Sequence, residues 1–189
     1  AARWTIASDD PPQAGNDHPT LGPMGMYKTM DGYLNLAASG GRLWEALCSE
    51  LGAPEWLEDE RFSSVSARKD NKAVLNLLIE ERLSQDTTEH WVLRLNEVGV
   101  PCGPVNTVAE TFSDPQVQHL GIASPVSHPT AGEIKILRNA TNLEGVSNDI
   151  RAASPLKGQH SEELLTQFGF SDEEIDSLSH SGVVPRVSD

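Results

Sequence analysis

The chain has 189 residues, of which 38% are hydrophobic and 22% charged, so it is long and apolar enough to bury a core of its own. Its formal net charge of -14 would repel phosphate groups, so binding to nucleic acid or to an anionic membrane surface is not expected. No apolar run approaches the roughly 20 residues that a membrane-spanning helix needs. Composition therefore excludes several classes of protein but indicates no substrate.

The cysteine content and the start of the chain indicate a compartment. Cys48 and Cys102 are too few for the disulfide scaffold of a secreted protein of this length. The N-terminus has no signal-peptide pattern, so a reducing cytoplasm is the expected location. The chain starts at Ala1 without a methionine, which is consistent with a piece of a longer protein.

Residues 7–25 are predicted to form a loop, because four prolines and three glycines exclude a regular helix or a central strand. The Asp31-Gly32 pair lies between two apolar runs and predicts a β-hairpin, with strands at 27–29 and 33–38.

Three helices are predicted after the hairpin. The first is expected to bury Trp44, Leu47, Cys48 and Leu51, which recur at helical spacing before Gly52. The second, over residues 70–84, has an apolar stripe centred on Val74, Leu77 and Leu78 and flanked by Leu75 and Ile79. The third is expected to begin with a capping box of Asp86 and Glu89 and to end at Gly99, with a buried face formed by Trp91, Leu95 and Val98.

The second half of the chain shows weaker patterns. Thr107 and Glu110 predict a capped short helix, and residues 122–138 predict two short edge strands around a turn. A short helix is expected over 161–168. Ser171 and Glu174 then predict a capping box that opens a last helix, with Ile175 and Leu178 on its buried side. The order of the elements indicates an α+β fold.

A search for familiar catalytic patterns finds none. The six histidines have no zinc-type spacing, and the chain contains no glycine-rich dinucleotide motif, phosphate-loop lysine or Gly-x-Ser-x-Gly motif. Cys102 lies between Pro101 and Gly103, where a reactive thiol could be displayed, although a small buried side chain is the more common role for a cysteine. No residue is therefore assigned as a nucleophile or as a metal ligand.

Two segments concentrate glycine and proline. They are Gly15–Gly25 and Gly99–Val105, and both offer a backbone with few side chains that a ligand can approach closely. The residues alone give equal weight to a second interpretation, in which each segment only connects two elements.

Several motifs follow one another in a recognisable order: Gly15-Asn16-Asp17-His18-Pro19 with Gly22-Pro23, Asp31-Gly32-Tyr33, Asp59-Glu60-Arg61-Phe62 with Arg68 and Asn71, Gly99-Val100-Pro101-Cys102-Gly103-Pro104-Val105, Asp114-Pro115-Gln116, His128-Pro129 and Gly169-Phe170-Ser171. From about Gly15 to Val184 this order resembles family III of the coenzyme A transferases, the CaiB/BaiF family of formyl-CoA and carnitine CoA-transferase type. The resemblance is to the C-terminal half of the family only.

The resemblance implies an interlocked homodimer in which each subunit has a Rossmann-like large domain and a small α+β domain. Residues 1–26 would then be a linker and active-site loop, and residues 27–135 the small domain. Residues 136–189 would be a return segment whose C-terminal helices belong to the large domain.

The resemblance also implies a reaction, in which CoA moves between an acyl-CoA and a carboxylic acid through a covalent aspartyl intermediate. That aspartate would precede Ala1, so this chain alone is expected to be inactive, and no cofactor is expected beyond the CoA thioester substrate. The implied substrate loop contains Gly15, Asn16, His18, Pro19, Gly22, Pro23 and Gly25. A second candidate loop contains Pro101, Cys102, Gly103 and Pro104.

Two other functions stay open. An α-methylacyl-CoA racemase of the same family would have a glutamate where Gly40 or Gly41 stands, which weakens that alternative. A non-catalytic module for dimerisation or binding is the alternative from a different class.

Overall fold

Two groups of helices and strands make up the fold, one within Ala1–Asn106 and the other within Thr107–Asp189. The computed structural model describes residues 2–11 and 13–185. Both groups combine short helices with antiparallel strands, so the predicted α+β class is confirmed. The domain boundaries implied at residues 26 and 135 stay predictions. Ala1, Pro12 and residues 186–189, which fall in the first and last implied segments, lie outside the described residues.

The first unit contains a small sheet and most of the longer helices. Its elements are α1 (Ala2–Ala7), β1 (Met24–Lys28), β2 (Tyr33–Ala37), α2 (Gly41–Glu50), a 3₁₀ turn (Pro54–Leu57), α3 (Val65–Asp70), α4 (Lys72–Leu83), α5 (Thr88–Glu97) and β3 (Cys102–Pro104). The second unit contains α6 (Val108–Ser113), α7 (Pro115–His119), β4 (Ala123–His128), β5 (Gly132–Leu137), α8 (Ser161–Gln167) and α9 (Asp172–His180).

The sheet of the first unit is antiparallel, with β2 between β1 and β3. The predicted hairpin is confirmed, since the Thr29 amide donates to the Gly32 carbonyl at 3.0 Å and closes the turn around Asp31. Strand β1 nevertheless starts at Met24, three residues earlier than predicted. An edge strand tolerates nearby glycine and proline, because only one of its sides needs a hydrogen-bonding partner.

The core of the first unit lies on one face of the sheet. Leu34 and Leu36 alternate towards it from β2, and α2 adds its predicted apolar face with Trp44, Leu47 and Cys48. Helices α4 and α5 pack against β1 and β3 respectively. The prediction for α2 is confirmed, because its apolar residues occupy one stripe only.

The predicted centre of the α4 stripe is wrong for Val74 and Leu77, whereas Leu78 is half-buried and packs against the core. Leu75, Ile79 and Leu83 are fully buried, whereas Val74 is exposed and Leu77 is 68% exposed. Because the apolar residues of this helix are not confined to one stripe, periodicity alone did not select a face, and packing against β1 decides it.

Helix α5 begins one residue later than predicted. Thr87 is its N-cap and accepts from the His90 amide at 3.2 Å, so the expected capping box at Asp86 is wrong. Trp91 and Leu95 are buried as expected, but Val98 is exposed because it already follows the last helical residue. The indole of Trp91 donates to the Leu83 carbonyl at 2.7 Å and joins α5 to the end of α4.

The second unit confirms the local predictions. Both capping boxes are present, one between Thr107 and Glu110 and the other between Ser171 and Glu174. Strands β4 and β5 form the expected two-stranded antiparallel ribbon. Ile175 is buried, and Leu178 is half-buried.

Candidate functional site

The loop from Gly15 to β1 is fixed to helix α4 by the carboxylate of Asp17. The side-chain amide of Asn76 donates to both carboxylate oxygens at 3.1 Å, and Lys72 Nζ lies 3.5 Å from one of them. The Tyr27 hydroxyl donates to Asn76 Oδ1 at 3.0 Å, so one amide joins the loop to the buried face of β1. Burial, and then the negative charges of Asp17 and Glu80, raise the pKa of Tyr27 and keep it a hydrogen-bond donor.

Gly25 allows this loop to lie close to β1. A Cβ atom at Gly25 would lie 2.6 Å from the Asp17 carboxylate and 3.0 Å from the Asn16 carbonyl oxygen, which is too close for any side chain. The sequence placed Gly25 in the loop, but it is the second residue of the strand. Its role is therefore to accommodate the loop, since glycine permits a close approach of two backbones.

The other end of the loop is held by Arg68, which is 2% exposed. Its guanidinium donates to the carbonyl of Gly22 at 3.2 Å, of Phe62 at 2.8 Å and of Ser39 at 3.0 Å. It lies over the ring of Trp44, with 4.9 Å between Cζ and the ring centroid. Burial lowers the pKa of Arg68, and among the described residues no carboxylate forms an ion pair with it. Three carbonyl groups from separate segments take the place of a counter-ion.

His18 forms the turn at the tip of the loop. Its Nδ1 accepts from the amide of Leu21 at 3.1 Å and from the amide of Thr20 at 3.3 Å. The His18 amide donates to the Met24 carbonyl at 2.8 Å, so the turn closes onto the first residue of β1. Pro19 follows within this turn. The loop is thus an ordered structure with hydrogen bonds at its start, tip and end.

The second candidate segment is partly a strand. Residues 102–104 form β3 and pair with β2, with Cys102 opposite Leu36 and Gly103 opposite Asn35. The prediction of a loop is therefore wrong for residues 102–104, because β2 has one edge not paired with β1, and the chain pairs with that edge after α5.

The Cys102 thiol is unsuited to act as a nucleophile. It shares the core face with Leu36, and its Sγ lies 3.7 Å from the Val92 carbonyl and 3.6 Å from Asn96 Nδ2. Burial raises the pKa of Cys102, and it raises the pKa of Cys48 to about 12. Raised pKa values leave little thiolate at neutral pH.

The two predicted segments meet in one cleft of about 620 Å³. The predicted residues that line it are Gly15, Asn16, His18, Pro19, Gly25, Pro101, Cys102 and Gly103. Gly22, Pro23 and Pro104 do not line it; the first two are buried, and the Gly22 carbonyl is bound to Arg68. Segments that are about 80 positions apart in the sequence therefore form one site beside the sheet.

Five residues that line the cleft were not among the predicted site residues. They are Asp17, Met24, Asn35, Leu36 and Ala37. A signal for Asn35 existed, because β2 alternates, and a residue between the buried Leu34 and Leu36 must face the other side of the sheet.

The cleft has a neutral, weakly polar character. Among the described residues that line it, Asp17 is the one charged side chain, and its carboxylate is already bound by Asn76 and Lys72. His18 and Asn35 provide uncharged polar groups, and Gly103 leaves open space above the sheet. In the part of the chain that the structure describes, no cluster of three His, Cys, Asp or Glu side chains could hold a metal ion. Such a site favours a ligand with carbonyl groups and apolar segments over a bare phosphate.

Comparison with known proteins gives consistent results. The family model described as CoA-transferase family III matches residues 1–161. Human succinyl-CoA:glutarate CoA-transferase is 29% identical over 187 residues, which is 98% of this chain and 43% of that protein. Acetyl-CoA:oxalate CoA-transferase of Acetobacter aceti is 33% identical over 113 residues, or 60% of this chain and 29% of that protein.

The fold also resembles a solved structure. The crystal structure of a CAIB/BAIF family protein from Brucella suis superposes with a TM-score of 0.72 and 30% identity, over 87% of this chain and 42% of that one. The chain thus spans about two fifths of the length of the human and Brucella suis proteins. In the described part of the chain no helix is both long and apolar enough to cross a membrane.

Proposed function

Because the chain belongs to CoA-transferase family III, we propose that it forms part of an enzyme that moves CoA from an acyl-CoA to a carboxylic acid. The observation that carries the proposal is the single cleft formed by both glycine- and proline-rich segments. Its mostly apolar lining and its uncharged polar groups suit an acyl thioester and the amide-containing arm of CoA. A homodimer and a cytoplasmic location are part of the same proposal.

The proposed reaction proceeds through a carboxylate outside this chain. An aspartate attacks the thioester carbonyl, CoA leaves as a thiolate, and a mixed anhydride forms. The thiolate then attacks the aspartyl carbonyl, which releases the first acid and leaves an aspartyl-CoA thioester for the acceptor acid. Asp17 is the one carboxylate at the described cleft, and its two oxygens already accept from Asn76. We therefore assign the nucleophile to no residue of this chain.

The test separates binding from transfer. The 189-residue chain is titrated with succinyl-CoA and is then incubated with succinyl-CoA, glutarate and labelled CoA. We expect measurable binding and no transfer above background. Transfer by the chain alone would contradict the assignment of the nucleophile to another segment. Absence of binding would contradict the cleft as a CoA thioester site and favour a non-catalytic module.

A matched pair of variants locates the binding. Gly103→Leu would fill the cleft, since a Cβ at Gly103 meets no atom within 4 Å and the backbone need not move. Gly41→Leu adds the same side chain at the start of α2, where a Cβ is equally free and which does not line the cleft. We expect Gly103→Leu to abolish binding of succinyl-CoA and Gly41→Leu to retain it, with both variants folded by circular dichroism.

A further inference from the structure

The ring of His18 has only one nitrogen available to a ligand. Its Nδ1 accepts from two backbone amides, those of Thr20 and Leu21. A nitrogen that accepts a hydrogen bond has no proton, so the neutral ring must have its proton on Nε2. The turn therefore fixes His18 as an Nε2–H donor.

The chain contains a second copy of this turn. His128-Pro129-Thr130 repeats the residues of His18-Pro19-Thr20, and His128 Nδ1 accepts from the amides of Ala131 at 3.1 Å and Thr130 at 3.2 Å. The repeat connects β4 and β5 in the second unit, and the cleft belongs to the first. In both copies the hydrogen bonds to Nδ1 close the turn, so the turn explains the role of Nδ1 but gives no role to Nε2.

The surroundings of His18 indicate what Nε2 binds. His18 is half-buried and lines the cleft, and its Nε2 has no hydrogen-bond partner among the described residues. Asn35, on the floor of the cleft, has a side-chain amide that is likewise without a partner within that part of the chain. The two uncharged donors are His18 Nε2–H and the Asn35 amide, and the cleft around them is also lined by Ala37 and Gly103. These surroundings suit a carbonyl oxygen, whereas a phosphate group would be bound by a cationic side chain.

We infer that the Nε2–H of His18 donates a hydrogen bond to the thioester carbonyl oxygen of an acyl-CoA bound in the cleft. This inference rests on the proposed function. His18 is then a substrate-binding residue that distinguishes an acyl-CoA from free CoA, which has a thiol and no thioester oxygen. The turn fixes the donor before the ligand arrives, so little ordering is needed when the ligand binds.

The direct test observes the ring nitrogens by NMR. In the ¹⁵N-labelled chain, long-range histidine spectra should show His18 and His128 as Nε2–H tautomers. Acetyl-CoA should shift the Nε2 resonance of His18 and leave that of His128 in place, whereas free CoA should move neither. An Nδ1–H tautomer at His18 would overturn the inference, as would an unchanged Nε2 resonance in a chain saturated with acetyl-CoA.

A pair of variants provides the energetic test. His18→Asn keeps an acceptor that can close the turn and removes the Nε2 donor. It should weaken the binding of acetyl-CoA about fivefold, the worth of one ordinary hydrogen bond, and leave the affinity for free CoA unchanged. His128→Asn should change neither affinity.

The outcomes separate this inference from the proposed function. If acetyl-CoA binds His18→Asn as tightly as the unaltered chain, the inference fails and the proposed function stands. If the unaltered chain binds neither acetyl-CoA nor CoA, the proposed function fails, and the inference fails with it. Protection of the Thr20 and Leu21 amides from exchange verifies that the turn persists in His18→Asn, and the NMR test on the unaltered chain does not depend on that variant.

Discussion

The two units of the chain are stabilised by different means. Every member of the central hydrophobic cluster belongs to the first unit, which packs α2, α4 and α5 on one face of its sheet. In the described part of the second unit, Ile175 is the one buried hydrophobic residue, and Phe168 is 79% exposed. The second unit is ordered by local hydrogen bonds instead, with two capping boxes and the turn at His128.

This difference shows how little stability short helices have without tertiary packing. Helices α6 to α9 have five to nine residues each, a length at which a helix is marginal without tertiary packing. The caps provide hydrogen-bond acceptors for the first backbone amides of these helices, but they bury little apolar surface. The first unit gains most of its stability from contacts between distant residues, so substitutions there should cost far more than equivalent ones in the second unit.

The largest effect is expected at Arg68, where the buried guanidinium joins three segments of the first unit. Arg68→Met should lower the free energy of unfolding by about 3–5 kcal/mol, because the carbonyls of Gly22, Ser39 and Phe62 lose their donor. The control is Arg61→Met, which removes an exposed arginine paired with Asp59 and should cost far less, because solvent screens an exposed ion pair. Urea unfolding measures both. Equal costs would mean that the three carbonyls find other partners.

A large effect is also expected on the buried face of α4. Ile79→Ala should cost about 3 kcal/mol, because it removes packed methyl groups and leaves a cavity. Leu77→Ala on the exposed face of the same helix and Phe168→Ala in the second unit should each change stability by less than about 0.5 kcal/mol. Thermal unfolding of the three variants tests this contrast between the units. A costly Phe168→Ala would show that the second unit buries this ring in solution, contrary to the structure.

A moderate effect is expected where the loop meets β1. Gly25→Ala should cost about 1–3 kcal/mol, since its Cβ would overlap the Asp17 carboxylate and displace the loop. Gly22→Ala is the control, because its Cβ would make ordinary contacts at 3.9 Å with Arg68 and Lys72. Hydrogen exchange of the amides of residues 15–21 should accelerate in Gly25→Ala alone. Similar exchange in both variants would mean that the loop does not depend on close packing at Gly25.

The smallest effect is expected from acid on the second unit. Hydrogen bonds from the backbone amide and then the hydroxyl of the cap residue lower the pKa of Glu110 at Thr107 and that of Glu174 at Ser171. A folded-state pKa below the unfolded value of about 4.3 means that this stabilisation is complete above that pH and is lost as the pH falls through the folded pKa. The protection factor of the Ser171 amide, which corrects the exchange rate for its intrinsic dependence on pH, should therefore fall as the protecting carboxylate becomes protonated.

A paired variant separates the cap from general acid effects. Glu174→Gln keeps a side-chain acceptor and removes the titration, so exchange at Ser171 should lose this pH dependence while that at Thr107 retains it. A loss at both caps would indicate unfolding of the whole unit rather than fraying of one helix.

The sequence by itself determined the features that depend on near neighbours. The caps at Thr107 and Ser171, the Asp31-Gly32 turn and the end of α5 at Gly99 each involve residues within about four positions of one another, so local residue identity is sufficient to predict them. The α+β class and the two candidate binding segments were also predictable, the segments from their glycine and proline content.

Only the tertiary structure decided which side chains face the core and which segments meet. Leu75 and Ile79 are buried rather than Val74 and Leu77, because α4 packs on β1 and a helix whose apolar residues are not confined to one stripe does not specify its own inner face. The cleft forms because β3 pairs with β2 and brings Gly103 to the same face of the sheet as Asn35, next to a loop that Arg68 and Asn76 hold in place. These contacts join residues that are roughly 30 to 80 positions apart, and short-range sequence patterns contain no information about which distant partner completes each hydrogen bond.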